Sequence, residues 1–239
     1  NSNATAITID SGENVGIGTS LTYNMKTTVA GVGSALTTGT GSYAVMSIYD
    51  TAAAAAGTGG GLAFQGNDGT NSGVTFAVVN GSKENATSGN YASYLGFSTR
   101  ANAGNLTEKL RIDSVGNVGI GVVPSAWNAG YVGFQIGAAG AIWSYKTAGT
   151  TFFSDNEVYN ASGVRTRLVA DKASEYYQTG GSHNWLTSNT SAAAGSTITD
   201  MSVKMTLDAG GNFLVGKTAT SAATLGTEIR STGSILSAM

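Results

Sequence analysis

The sequence has no cysteine, a single proline, a single histidine and few charges, with 11% of its 239 residues being Asp, Glu, Lys or Arg. Without cysteine there is no disulfide, no thiol nucleophile and no cysteine-ligated zinc site. One proline, and 35 glycines set in no strict three-residue period, exclude a collagen triple helix. Soluble domains usually carry about 25% charged residues, so this surface is wetted by hydroxyls and amides instead. No run approaches the roughly 18 consecutive apolar residues that read as a transmembrane helix, and no membrane insertion is expected. Asn1 to Thr5 shows neither the basic nor the apolar region of a signal peptide. Twelve basic against 14 acidic residues leave no basic stripe for nucleic acid. Disordered chains combine low hydrophobicity with high net charge, whereas here 41% is hydrophobic and the formal net charge is -2.

What is present is small and hydroxyl-rich, since Gly, Ala, Ser, Thr and Asn make up about 60% of the chain. It is also repetitive. Ile7 to Gly18 reads ITIDSGENVGIG, Leu110 to Gly121 reads LRIDSVGNVGIG, and Met205 to Gly216 reads MTLDAGGNFLVG. The shared plan is apolar, polar, apolar, Asp, a small-residue turn with Asn, then apolar, small, apolar, Gly. Alternation over Leu110 to Asp113 is that of a half-buried strand. Ser114-Val115-Gly116-Asn117 suits a tight hairpin turn, and Val118 to Gly121 returns as the partner strand. Gly at alternate strand positions leaves room for another backbone to come close. Asp10, Asp113 and Asp208 stand just before the turn, where a carboxylate can accept backbone N–H bonds, a structural role.

Starts 103 and 95 residues apart make the repeat a punctuation mark more than a solenoid unit. The organisation expected is an opening hairpin in residues 1–20, a first module over 21–124 closed by hairpin 110–121, and a second over 125–239 closed by hairpin 205–216. Short strand-like runs recur between these marks, at Leu62 to Gln65, Val74 to Val79, Tyr94 to Thr99, Ala141 to Tyr145, Arg165 to Ala170, Ser174 to Gln178, His183 to Ser188 and Val203 to Leu207. Clusters of Gly, Asn, Ser and Asp separate them, and strands at such spacing predict an all-β protein. Ala52 to Ala56 has the propensity for one helical turn, but no apolar stripe extends it.

Little in the chain points to catalysis. Ser182 and His183 are adjacent, and neighbours in a strand point to opposite faces, so they form no nucleophile–base pair. Asp155 with Glu157, on one strand face if that segment is extended, and Asp171 with Glu175 are acidic pairs without the loop pattern or fixed glycine of a calcium hand. They read as surface carboxylates, and no metal or other cofactor is expected. Gly57 to Gly61 and Gly39 to Gly41 lack the Lys-Ser/Thr of a phosphate loop and read as flexible turns. Sugar binding without cleavage is the more credible chemistry, because aromatic faces stack on sugar rings while amides and hydroxyls bond to their OH groups. Trp127, Tyr131, Trp143 and Tyr145 cluster after the second hairpin and are the candidate receptor-binding residues; the competing role for them is to fill a core. Trp185 reads as structural.

Tyr94-Leu-Gly-Phe-Ser-Thr99, followed by Leu106-Thr-Glu-Lys-Leu-Arg-Ile-Asp-Ser-Val-Gly-Asn-Val-Gly-Ile-Gly121, resembles the tail-fibre and tail-spike proteins of bacteriophages. The second module is similar to the same family over Val158 to Asn160, Arg165 to Ala170, Tyr176, Gly181 to Thr187 and Met205 to Asn212. The resemblance implies an elongated, intertwined homotrimeric β-fibre, located in the virion and attached to other phage tail proteins, that binds a host cell-surface glycan or protein. It also implies a self-cleaving chaperone domain after such a segment, which would put Met239 near a maturation cut. Two features depart from the pattern: Phe213-Leu214 stands where the other hairpins have Val-Gly, and the Pro that follows a hairpin occurs once, as Pro124. The expected function is structural and receptor-binding, without catalysis. A polysaccharide depolymerase would instead release reducing sugar from capsular or lipopolysaccharide, and a bacterial surface adhesin would share the β-repeat style.

Overall fold

A computed structural model describes residues 48, 50–221 and 223–238, together with the backbone of three short strands near the start of the chain. The molecule divides into a unit over Asn1–Thr51 and a unit over Ala52–Met239. In the first, β1 (Ile7–Ile9) pairs antiparallel with β2 (Val15–Ile17), and β2 pairs parallel with β3 (Thr27–Val29). The first repeat is thus a hairpin in its backbone, while Asp10 and the run Gly39 to Gly41 lie outside the described residues.

The second unit is all-β, with no helix among the described residues. Its strands are β4 (Gly59–Gly66), β5 (Val74–Lys83), β6 (Ser93–Arg100), β7 (Leu106–Ile112), β8 (Val118–Ile120), β9 (Tyr131–Ile136), β10 (Gly140–Tyr145), β11 (Thr150–Asp155), β12 (Val158–Tyr159), β13 (Arg165–Thr166), β14 (Ser174–Thr179), β15 (Ser182–Thr187), β16 (Ser202–Leu207), β17 (Phe213–Val215), β18 (Gly226–Ile229) and β19 (Ile235–Ala238). Fourteen of them form one sheet whose spatial order follows the sequence, and β12 and β13 form a separate hairpin. Every neighbouring pair in the large sheet is antiparallel except β8 with β9, which run parallel. The expected module boundary at 124/125 falls on the crossing between those two strands. The parallel pairing carries one sheet from the first module into the second.

The repeated turn works as its composition predicts. Asp113 Oδ1 accepts from the backbone N–H of Val115 (3.0 Å) and Asn117 (2.7 Å), and its Oδ2 accepts from Asn117 Nδ2 (2.9 Å). Gly116 supplies the positive φ that the turn needs, 92°. Asp208 repeats the arrangement with Gly210 and Asn212, and the hydrogen bonds from Asn212 hold its carboxyl below the usual carboxylate range.

The Asn of each turn also reaches out of its hairpin. Asn117 Oδ1 accepts the N–H of Gly133 in β9 at 3.0 Å, and Asn212 Oδ1 accepts that of Ser231 at 3.1 Å. The second and third repeats therefore each clasp the segment that follows them. Asn117 is buried, so Asn117→Ala leaves the Gly133 N–H without its partner. The expected loss is about 1–3 kcal/mol of stability, read as a lowered urea midpoint.

Gly119 has the close approach expected of it: a Cβ there would lie 2.2 Å from the Val122 carbonyl oxygen. In the third hairpin that position is Leu214, fully buried, where a side chain fills what the backbone fills in the second. One reading is corrected. Gly59 to Gly61 begin strand β4 rather than form a flexible turn, and a Cβ on Gly59 would collide with the Gly81 carbonyl at 1.9 Å. Ala52 to Ala56 form no helix, having no apolar face to bury.

Candidate functional site

The alternation of the sheet separates two chemistries. Directly paired residues share a face, so the register can be followed as a rung through the ten strands β6 to β11 and β14 to β17, beyond which it meets Thr227 of β18 and Gly81 of β5. One rung runs Leu95, Ile112, Val118, Phe134 and Ile142 over β6 to β10. It continues through Phe153, Tyr176, Trp185, Met205 and Val215 over β11 and β14 to β17. No polar side chain other than the Tyr176 hydroxyl interrupts it. The adjacent rung, on the opposite face, reads Asn80, Gly96, Arg111, Gly119, Gln135, Ala141, Ser154 and Glu175.

Ordinary antiparallel sheets bury the apolar face and wet the polar one. Here the chain covers the face that carries this rung together with Trp143 and Phe152, and leaves the apolar rung of the other face bare. Phe153 is 45% exposed and Ile142 37%, while Gln135 is 1% exposed and Glu175 4%. A groove of about 450 Å³ lies on the bare side, lined by Ile136, Ile142, Phe153, Tyr176 and Trp185. Leu62 and Phe64 of β4 and Ile229 and Ile235 of β18 and β19 extend the exposed apolar surface toward both edges. Contiguous apolar surface on this scale marks an interaction site.

On the other face, the β12–β13 hairpin and the segments around Trp127 and Arg167 fold over the sheet. Trp127, Ala141, Trp143, Phe152 and Val158 form its core, with Tyr131, Tyr159, Leu168 and Tyr177 packed against it. Trp143 is 2% exposed, stacks on Phe152 with ring centroids 3.6 Å apart, and donates from its indole nitrogen to Ser154 Oγ at 3.0 Å. A Cβ on Gly133 would strike the Trp127 ring at 2.5 Å, which explains the glycine in β9.

Of the four candidate receptor-binding residues, Trp127 and Trp143 have both faces enclosed by protein and are core residues in this structure. Tyr131 is half-buried beside them, and Tyr145 reaches the surface, its ring 4.7 Å from that of Tyr131. Burial, with the neighbouring Tyr145 hydroxyl, pushes the Tyr131 hydroxyl well above the usual tyrosine range. The sequence placed these four aromatics together, and the fold divides them by depth.

The acidic pairs are rearranged. Asp155 and Glu157 do not share a face: Asn156 between them has φ of 60°, so the chain turns after β11. Asp155 stays on the bare side, and Glu157 goes under the hairpin. Glu157 meets Glu175 instead, with Arg165 serving both: its Nε lies 3.0 Å from Glu157 Oε1 and its Nη2 3.2 Å from Glu175 Oε1. Neither carboxyl is accessible to solvent. One guanidinium cannot neutralise two buried carboxylates. Burial and the nearby Glu175, opposed by Arg165, push Glu157 up from 4.5 to about 9. The raised acid, the second carboxyl beside it and the cation resemble the makings of an acid–base pair, but buried under the hairpin they anchor it to the sheet.

A pH dependence follows from this cluster. Folded Glu157 keeps a proton that the unfolded chain loses near 4.5, so its contribution is fully present below that pH. It is lost progressively as pH rises from there toward 9. Urea midpoints should fall across that range in the native chain, and Glu157→Gln should flatten the slope.

Ser182 and His183 lie on opposite faces, as their adjacency in a strand requires. His183 Nδ1 shares a hydrogen bond with the Tyr176 hydroxyl on the bare face. Among the described residues no group of three or more His, Asp or Glu is placed to hold a metal ion. No family model matches the chain, and no curated protein matches it in sequence.

Proposed function

We propose that the chain is a structural and receptor-binding segment of a bacteriophage tail fibre or tail spike, a homotrimer whose three sheets turn their apolar faces toward a common axis. One observation carries this reading: the unbroken apolar rung on the side of the sheet that the chain itself leaves bare. Alone, the chain keeps that rung in water. Three copies around an axis would bury it at a gain of about 25 cal/mol for each Å² of apolar surface removed from water. The tail-fibre likeness of the repeats supports three as the number, and the virion, joined to other tail proteins, as the setting of the segment.

The covered face would then point outward toward the host surface. Tyr145 and Tyr131 are the members of the aromatic group within reach of a cell-surface glycan or protein, and Trp127 and Trp143 fix them from below. No step of bond cleavage is assigned to the segment. Its mechanism is multivalent attachment, in which linked copies raise avidity without stronger single contacts. Sedimentation equilibrium tests the assembly: a mass three times the chain's 24.0 kDa is expected, and a stable monomer would overturn the proposal.

A further inference from the structure

At one end of β4 to β7, past the last paired rungs Gly66–Val74 and Arg100–Leu106, two loops meet around a cavity of about 550 Å³. Asp68, Asn71, Phe76, Arg100 and Asn102 are in its lining. The first loop is held in shape by its own hydrogen bonds: Asp68 Oδ1 accepts from the backbone N–H of Thr70 at 2.8 Å and of Asn71 at 2.6 Å. In the second loop, Arg100 Nε donates to the Gly104 carbonyl at 2.7 Å, which fixes the guanidinium at the cavity. Its two terminal nitrogens have no hydrogen-bond partner among the described residues. Phe76 is 43% exposed, with a ring edge lying over Gly66, where a Cβ would come within 2.5 Å of it.

These residues supply three different things in one concave place. An exposed aromatic ring offers its electron-rich face to C–H groups. A fixed guanidinium offers free donors, and the amides of Asn71 and Asn102 offer both donors and acceptors. A mostly pre-formed hollow with a few convergent polar groups is the usual form of a small-ligand site.

We infer that this cavity is a carbohydrate subsite, taking one pyranose unit with its C–H face on Phe76 and its hydroxyls on Arg100, Asn71 and Asn102. It is separate from Tyr131 and Tyr145 in the sheet. Its geometry stands without the attachment reading, and its purpose rests on that reading.

Saturation-transfer NMR on the full chain, with glucose, galactose, N-acetylglucosamine and glucuronic acid as probes, tests the inference. At least one probe should receive saturation, and the signal should fall at least about tenfold in both Arg100→Ala and Phe76→Leu, the latter keeping apolar bulk while removing the ring. Circular dichroism and solution mass of the same samples check that the variants are folded. No transfer to any probe, or transfer unchanged in the folded variants, overturns the subsite. Because mass is read on the same samples, a trimer that binds no sugar refutes the subsite alone, and a monomer that binds sugar refutes the trimer alone.

Discussion

Aspartate in place of Ile142 and of Phe153 is expected to convert the proposed trimer into single chains without unfolding them. The two side chains are directly paired at the middle of the apolar rung and are 37% and 45% exposed in the lone chain. Each position is partly exposed, so the cost to the chain's own fold is limited to about 1 kcal/mol per site, from the poor fit of Asp to a strand and the repulsion between the paired charges. Around an axis the same change gathers like charges in a dry core with no cation to pair them. Unpaired buried charge of this kind costs several kcal/mol per ion, enough to reverse an association. Native mass spectrometry should show the mass drop to one third while the β-sheet circular dichroism signal persists. An unchanged mass would mean that the bare face does not join the copies.

Trp143→Ala should cost about 3–5 kcal/mol of stability, a large part of what a domain has to lose. The indole is enclosed, stacked on Phe152 and bonded to Ser154. Its removal therefore leaves a cavity and an unpartnered hydroxyl in the one core the outer face possesses. Tyr145→Ala, two residues along the same strand face, should change the urea midpoint little and act on attachment to cells. The pair separates roles that a single aromatic patch would merge. If both variants were equally stable and both weakened attachment, Trp143 would be a contact residue after all.

The hairpins were legible because their information is local. An Asp, a small turn and an Asn four residues on can satisfy one another whatever surrounds them, and Asp113 and Asp208 do so. The runs at Tyr94 to Thr99 and Ala141 to Tyr145 became β6 and β10 because they alternate cleanly. The run Arg165 to Ala170 shrank to the two residues of β13, since Arg167 turns inward and spends its guanidinium on the carbonyls of Thr190, Thr197 and Asp171. β9 and β11 were not legible: Gly133 and Gln135 break the first, and the Thr-rich start of the second resembles a loop. The meeting of Glu157 with Glu175 depends on the left-handed turn at Asn156, a conformation that Asn tolerates but does not announce. The bare apolar rung was present in the alternation all along. Which face the chain would cover depended on where the β12–β13 hairpin folds back, and no strand records that.

The sheet order has a kinetic consequence. From β4 to β19 the strands lie in space as they lie in sequence, so most pairings join neighbours along the chain. Topologies rich in local pairings fold fast for their size. Each chain can therefore zip its sheet together before it meets another copy, and it does so with the greasy side outward. In the proposed trimer the vulnerable species is a folded protomer awaiting partners. Dilution prolongs its lifetime, and crowding by unrelated apolar surfaces diverts it toward aggregates. For a chain built this way, finding its own kind quickly matters as much as folding correctly.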